Sequence, residues 1–230
     1  MKNMKMNFEK LESLGYDWIE IQTSSVTYNI ISSSFDDGKV NLEKNLFDFF
    51  PKVFVDIYVT NSDTEKRKKI GYLEGYYFPS RMILDENFGI HESILTIANA
   101  SSAELFECVG AMCDENYEDF APQIATAIDN VFYISKLRIY SKFQNLGIAT
   151  FVIKNLYKIL IYKANLGYLS TFTVLPYPFL LDEEKTPKEK FNEETKKLIL
   201  FYKRLGFKKY KNTSYYYLNT KDKDTFYIED

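Results

Sequence analysis

The chain has 230 residues and a mass of 27.1 kDa, the size of one large domain or two small ones, which is long enough to bury a core without disulfide or metal staples. Hydrophobic residues make up 46% of it and charged residues 27%, which excludes collagen-like, low-complexity and globally disordered chains. No apolar run reaches the roughly 18 residues of a membrane span, and no apolar block follows the N-terminal lysines. We therefore predict a soluble, cytoplasmic protein without a membrane partner.

The formal net charge of −3 hides an uneven distribution along the chain. Residues 80–130 hold ten acids and one base, a net charge of −9, whereas residues 131–230 hold 18 bases and ten acids, a net charge of +8. This division favours a cation beside the acidic block and a polyanion beside the basic block. A pair of solvated faces is the alternative explanation.

The first part of the chain is predicted to be mainly β-structure. Segment 17–31 is rich in Ile, Val, Thr and Tyr, which is typical of a strand, and a turn at 32–38 and a short helix around Leu46 follow it. Alternating apolar residues at 53–59 and a second extended run at 70–78 predict an antiparallel hairpin.

Residues 79–130 behave like an insertion that contains one acidic helix. Ser101, Ser102, Ala103 and Glu104 fit a capping box, and the apolar stripe that follows predicts a helix over 102–114.

The inventory of metal-binding side chains is small. Cys108 and Cys113 lie five residues apart, so on a helix the two thiols point to different faces and a disulfide between them is not expected. The chain has a single histidine, His91, and so lacks the ligands of a His/Cys zinc site. We predict no metal site and give His91 no chemical role.

The basic half of the chain alternates strands and helices. Alternation at 131–140 predicts a strand, helical spacing continues from Ile148 to Asn165 with Gly167 as its stop, and the apolar run 169–175 predicts a buried strand.

The chain then has an irregular segment that ends near Asn192, because prolines and charges are frequent there. Apolar positions from Leu198 to Leu205 predict a second amphipathic helix that Gly206 stops, and 215–218 predicts a last strand. This mixture predicts an α/β or α+β domain with a mixed sheet.

The turn at 141–150 joins a strand directly to a helix. Such a junction leaves the first helical N–H groups unpaired at the positive end of the helix dipole, so it favours an anion. Gly147 and Ala149 would let a ligand approach the backbone, and Thr150 offers a hydroxyl. The turn lacks the endings of triphosphate-binding and dinucleotide-binding loops, so ATP and NAD are not expected. An ordinary connection between a strand and a helix is the alternative.

Two motifs in this half occur in a suggestive order. The turn reads Gln144-Asn145-Leu146-Gly147-Ile148-Ala149, and the last helix ends in Tyr202-Lys203-Arg204-Leu205-Gly206-Phe207. In both, the chain resembles the GNAT superfamily of N-acetyltransferases, whose pyrophosphate signature is Gln/Arg-x-x-Gly-x-Gly/Ala and whose last helix ends in Tyr-x-x-x-Gly-Phe. The resemblance covers residues 131–218 well and residues 17–78 as an order of elements.

The resemblance implies a single GNAT-like domain over residues 1–230. Its fold class would be α/β (α+β), with a mixed, mostly antiparallel central sheet flanked by helices. The acidic helical insertion, at about 80–130, would precede the fourth core strand, and a second insertion would lie at about 177–192.

The resemblance also implies acetyl-CoA as the cofactor. Its pantetheine arm would pair with the edge of the strand that carries Leu137 and Ile139, and its pyrophosphate would bind the turn. Thr195 stands where many members have Asn, so that contact differs here. The implied cofactor-binding residues are Leu137, Ile139, Gln144, Asn145, Leu146, Gly147, Ile148, Ala149, Thr150 and Thr195.

Two side chains are the candidates for catalysis. The resemblance assigns Tyr202 the donation of a proton to the leaving thiolate, with packing in the apolar helix face as the alternative role. Glu74, on the second strand of the hairpin, is the carboxylate that we select as general base, although a surface glutamate would look the same in the sequence. The amine would attack the thioester directly, without a covalent enzyme intermediate.

The predicted function is therefore acetyl-CoA-dependent N-acetyltransfer to a primary amine. The acceptor is expected to be a small molecule or a peptide, and a dimer is possible. The alternative is a non-catalytic acyl-CoA-binding or protein-interaction module on the same fold. Binding of nucleic acid by the basic block is a third hypothesis, which we do not adopt because the isoelectric point is about 5.5 and no recognised motif is present.

Overall fold

The computed structural model describes residues 6–27, 51–78, 98, 103–113, 124, 130–164, 166 and 169–220. Its helices are α1 (Phe8–Ser13), α2 (Ala103–Met112), α3 (Ile148–Lys158), which continues as a π-helix (Ile159–Lys163), and α4 (Lys188–Arg204). Its strands are β1 (Trp18–Thr27), β2 (Lys52–Thr60), β3 (Arg67–Phe78), β4 (Asn130–Ile139), β5 (Leu169–Val174), β6 (Lys208–Lys209) and β7 (Tyr216–Asn219). No described helix has the length and apolarity that crossing a bilayer requires.

The seven described strands form one sheet in the order β1-β2-β3-β4-β5-β7-β6. Strands β4 and β5 run parallel, and the other described neighbours are antiparallel. This confirms the predicted mixed, mostly antiparallel sheet flanked by helices. The alternating Val53, Val55, Ile57 and Val59 are all fully buried in β2, as the hairpin prediction requires.

Strand β4 loses its neighbour on one side halfway along its length. On the β5 side its pairing ends at Ile134, opposite Val174, whereas on the β3 side it continues to Ile139, opposite Gly71. A bulge at Ser135 marks the change, because Lys136 pairs with Glu74 and Ile134 pairs with Gly75. We call the resulting gap beside residues 135–139 the strand split.

Two hydrophobic cores lie on opposite faces of the sheet. Phe132 and Ile134 of β4 belong to the core that packs against α1, α3 and α4, whereas Val131 and Tyr133 belong to the core under α2. Both cysteines lie in the second core as free, buried thiols.

Because the second core buries a thiol and two phenols that ionise at high pH, we predict that the protein loses stability at alkaline pH. Burial raises the pKa of the Cys108 thiol and of the Tyr133 and Tyr215 phenols, and it also raises the pKa of Tyr202 in the first core. Each group holds its proton more tightly in the folded state. The free energy of unfolding is therefore unaffected by these groups at neutral pH and falls as the pH rises past their unfolded values of about 8.5 to 10.

Urea titrations from neutral to strongly alkaline pH measure this effect. Each group that ionises only in the unfolded chain lowers the free energy of unfolding by about 1.4 kcal/mol per pH unit. In Cys108→Ala the decline should start at higher pH than in the wild type. A free energy of unfolding that stays constant past the pKa of an ordinary tyrosine would contradict the burial of these groups.

Helix α4 differs from its prediction at the N-terminus. The irregular segment was expected to end near Asn192, but the helix already begins at Lys188. Pro187 immediately precedes it, where a fixed φ favours helix initiation, and Glu189 in the first turn suits the helix dipole. That prediction was wrong because the exposed first turn has no apolar periodicity to reveal it.

Most other boundaries agree within a few residues, and β6 is an element that the sequence did not predict. Strand β3 begins at Arg67, and the acidic helix is described over Ala103–Met112. The turn at 32–38, the helix around Leu46, the capping serines at 101–102, His91 and Gly167 lie outside the described residues. The domain limits and the two insertions remain predictions.

Candidate functional site

A cavity of about 280 Å³ lies between the exposed half of β4, the turn that follows it and the C-terminal half of α4. It contains eight of the ten predicted cofactor-binding residues, all except Leu146 and Thr195. Its lining residues are Leu137, Ile139, Phe143, Gln144, Asn145, Gly147, Ile148, Ala149, Thr150, Leu198, Phe201 and Tyr202.

The turn presents a row of free main-chain donors. None of the six N–H groups from Asn145 to Thr150 donates a hydrogen bond to an acceptor in the described part of the chain. The N-cap of α3 is Gly147, which has no side chain to satisfy them. Because an 11-residue helix also brings the positive end of its dipole to this point, the turn has the properties of an anion site.

The shape of the turn depends on two residues with left-handed backbone geometry. Asn145 has φ +61° and Gly147 has φ +83°, a region that glycine adopts freely and asparagine tolerates. The Gln144 side chain donates to the carbonyl of Ile139 at 2.8 Å. The backbone N–H of Asn7 donates to the carbonyl of Leu146 at 3.0 Å, which ties the turn to the residue that precedes α1.

Leu146 differs from the other residues of its motif. Its side chain is only 1% exposed and packs in the first core, so it does not line the cavity. Its contribution to a ligand would be its N–H group alone.

Backbone groups of β4 face the strand split beside the cavity. Tyr140 donates its backbone N–H to the carbonyl of Ile70 at 2.8 Å, so the backbone groups of Tyr140 point toward β3. Because backbone groups alternate in direction along an antiparallel pair, those of Ile139 and Leu137 face the opposite side. The carbonyl of Ile139 accepts from Gln144 there, which agrees with this direction. The edge can thus pair with an extended ligand.

Tyr202 lines the cavity from the last turns of α4. Its side chain is 6% exposed, and its ring contacts Phe201 and Phe207 edge-on at centroid distances of 5.0 and 5.2 Å. Burial raises its pKa, so the phenol keeps its proton at neutral pH. No described residue shares a hydrogen bond with its hydroxyl. The group is available as a proton donor, and its packing role is present as well.

Glu74 lies away from this cavity. Its neighbour Leu73 points into the first core, so the Glu74 side chain points to the opposite face of the sheet. There its carboxylate pairs with the ammonium groups of Lys52 at 3.2 Å and Lys136 at 3.5 Å. The structure does not bring Glu74 together with Tyr202, and its role as a base remains a prediction.

Thr195 is also not among the residues that line the cavity. It lies one turn before Leu198 on α4, and its hydroxyl donates to the carbonyl of Phe191 at 3.0 Å, four residues earlier. Its assignment as a cofactor contact remains a prediction.

Three lining residues were not predicted as part of the site. Leu198 and Phe201 were recognised only as part of the apolar face of the last helix. Helical spacing of apolar residues predicts which side chains are buried, but it does not distinguish packing against a core from lining a cavity. Phe143 carried no signal, since its place depends on the short 3₁₀ turn at Ser141–Phe143.

No family model and no curated protein matches the sequence. Three similar solved structures are a KacTA–DNA complex, AtaTR bound with AcCoA, and AtaT complexed with acetyl-methionyl-tRNAfMet. The first is 13% identical, with a TM-score of 0.43 over 89% of this chain and 95% of that chain. The second is 14% identical, with a TM-score of 0.38 over 89% and 95%. The third is 13% identical, with a TM-score of 0.37 over 89% and 96%.

The described sheet, mixed and mostly antiparallel with β4 and β5 parallel, is the fold that the resemblance to the GNAT superfamily implied.

One prediction is corrected by these neighbours. We expected no nucleic-acid partner and a small-molecule or peptide acceptor, but the similar structures include a DNA complex and a complex with an acetylated tRNA. That prediction was wrong. It relied on an acidic isoelectric point, which averages over the chain and conceals the net charge of +8 in residues 131–230.

Proposed function

We propose that this protein is an acetyl-CoA-dependent N-acyltransferase. The observation that carries the proposal is the row of six N–H groups from Asn145 to Thr150, at the start of α3, that have no acceptor among the described residues. A diphosphate has several anionic oxygens that accept hydrogen bonds from such a row. The N-cap residue Gly147 has no side chain that could accept these hydrogen bonds instead.

The remaining shape of the cavity supports the same ligand. The backbone of Leu137 and Ile139 could form hydrogen bonds with the amide groups of the pantetheine arm, as an added strand would. The apolar side chains of Leu198 and Phe201, which line the same cavity, would cover that arm. The residues present therefore fit acetyl-CoA, which would supply an activated acyl group as a thioester.

The chain's own residues would perform the remaining chemistry. A backbone N–H at the strand split would donate a hydrogen bond to the thioester oxygen as negative charge develops on it. Tyr202, neutral because it is buried, would give its proton to the departing sulfur and recover one from solvent. No nucleophilic side chain is required, since the acceptor amine forms the new bond directly.

Calorimetric titration with coenzyme A tests the binding step, with pantetheine, which lacks the diphosphate, as the matched ligand. We expect micromolar binding of coenzyme A and a loss of about 100-fold or more for pantetheine. Equal affinities for the two ligands, or no binding of either, would overturn the proposal.

Release of free thiol from acetyl-CoA tests the transfer step. The panel of acceptors should extend from free amines to aminoacyl-tRNA, because one similar structure holds an acetylated tRNA. Binding without turnover of any acceptor would support the non-catalytic acyl-CoA-binding module instead. The positions of Glu74, paired with two lysines, and of Thr195, bonded within its own helix, favour that second candidate.

A further inference from the structure

A second cavity, of about 340 Å³, lies between β1 and the helix α3 with its π-helical continuation. Four consecutive residues of β1, from Trp18 to Ile21, line it. Successive side chains of a strand point to opposite faces of the sheet, so a cavity that touches all four lies along the edge of the strand. We call this cavity the edge groove. It shares no lining residue with the cavity beside the turn.

The backbone of β1 is open toward the edge groove. Strand β1 comes first in the strand order, so no other described strand pairs with its outer edge. The carbonyl of Ile21 accepts a hydrogen bond from Lys163 Nζ at 2.8 Å, so the backbone groups of Ile21 point to this edge rather than to β2. Because backbone groups alternate in direction along an antiparallel pair, those of Ile19 point the same way. Such an edge can pair with another extended chain.

The π-helix closes one end of the edge groove. Lys163 Nζ already occupies the carbonyl of Ile21, and the hydroxyl of Thr23 donates to the carbonyl of Lys163 at 3.3 Å. An added strand would therefore pair with the N–H and carbonyl of Ile19 and with the N–H of Ile21. So short a pairing needs side-chain contacts as well, because an isolated pair of short strands is only marginally stable.

The walls of the edge groove supply apolar contacts and two exposed aromatic rings. Phe151 and Ile159 line it and also pack in the first core, so they form a firm apolar floor. Trp18 is 66% exposed and Tyr162 is 78% exposed, and both belong to the lining. Exposed tryptophan and tyrosine side chains are the residues that most often anchor a protein interface.

The charge of the edge groove favours an anionic partner. Lys158 and Lys163 line it, and neither forms an ion pair with a described residue. An ammonium group has three donors, so Lys163 keeps two of them after its hydrogen bond to Ile21. Glu20, the carboxylate that lines the groove, is already paired with Arg67 at 2.9 Å. The two lysines are therefore left without a compensating charge in the described part of the chain.

We propose that the edge groove binds an extended, acidic segment of a partner protein, which joins β1 as an additional strand. Its backbone would pair with Ile19, its apolar side chains would cover the floor, and its carboxylates would contact Lys158 and Lys163. A nucleic acid would also find aromatic rings and cations here, but it lacks the row of amide groups that matches the edge of a strand. The proposal does not depend on acyl transfer, because the groove and the cavity beside the turn are separate.

Fluorescence anisotropy with the full-length protein and labelled peptides of about seven residues, the length of an ordinary strand, tests this proposal. The probe alternates valine and glutamate. One matched peptide has lysine in place of glutamate, and the other has N-methyl groups on its inner amides. We expect each matched peptide to bind at least about 10-fold more weakly, because one reverses the charge and the other removes backbone donors. No binding of the probe, or equal binding of either matched peptide, would overturn the proposal.

Two substitutions inside the groove and one outside it locate the binding. Lys158→Glu and Trp18→Ala should each weaken binding of the probe about 10-fold, through a reversed charge and a lost anchor. Lys154→Glu makes the same charge change about one turn earlier on α3, at a residue that does not line the groove, and should alter affinity by less than about twofold. The melting temperatures should stay close to that of the wild type. An equal loss in Lys154→Glu and Lys158→Glu would contradict a specific site.

Hydrogen exchange and light scattering distinguish the other occupants of the groove. The amides of Ile19 and Ile21 should exchange rapidly in the free protein and slowly with the probe bound. Slow exchange in a free monomer would show that another part of the chain covers this edge. A dimer that Trp18→Ala dissociates would assign the groove to a second copy, and tighter binding of oligouridine than of the probe would assign it to nucleic acid. Each of these three results would overturn the proposal.

Discussion

Gly147→Val should abolish acetyl-CoA binding while the protein remains folded. Gly147 has φ +83°, and a β-branched side chain in this left-handed region costs about 1–2 kcal/mol or more. The turn would relax toward negative φ, and the N–H groups around it would no longer converge on one diphosphate. We expect the dissociation constant measured by calorimetry to rise at least about 100-fold, because several charge-assisted hydrogen bonds are lost together.

The chain offers a matched control at Gly15. This glycine also has φ +83°, and a Cβ placed on it meets no heavy atom within 4 Å. It lies between α1 and β1 and does not line the cavity. Gly15→Val should therefore lose comparable stability and keep the coenzyme affinity of the wild type. Equal affinity in the two variants would contradict the assignment of the turn.

Tyr202→Phe should lower kcat about 100-fold with the dissociation constant for acetyl-CoA changed by less than about twofold. The substitution keeps the edge-on ring contacts with Phe201 and Phe207 and removes only the hydroxyl. Because burial raises the pKa of Tyr202, the wild-type kcat should show no decline from tyrosine ionisation up to about pH 10.

Tyr216→Phe is the matched control for this prediction. Tyr216 is also buried in the first core, with 4% exposure, but it does not line the cavity. Its loss of a hydroxyl should leave kcat unchanged. A kcat that is equally unchanged in Tyr202→Phe would assign Tyr202 to packing alone.

The parts of the site that depend on local geometry were accessible to sequence analysis. When a strand runs directly into a helix that begins with glycine, the first N–H groups of the helix are free. This follows from local geometry and does not depend on how the rest of the chain packs. The motif around Gly147 therefore located the turn, and the resemblance located the strand edge at Leu137 and Ile139.

The parts that depend on tertiary packing were not accessible. Glu104 and Ser135 lie 31 residues apart, and their hydrogen bond exists only because α2 docks on β4 beside a bulge. Glu74 was a reasonable candidate in the sequence, but the register of the sheet places Lys52 and Lys136 on either side of it. Neither the hydrogen bond of Glu104 nor the ion pairs of Glu74 produce a periodic pattern of residues in the sequence, so sequence analysis could not predict them.

Hydrogen exchange at the amides of residues 145–150 tests most directly whether this turn binds a diphosphate. Without coenzyme A these six groups have no acceptor in the described chain and should exchange rapidly. Saturating coenzyme A should slow them markedly, and pantetheine should not. Saturation by coenzyme A with no change at these amides would show that the ligand binds elsewhere and would contradict the proposed enzyme site.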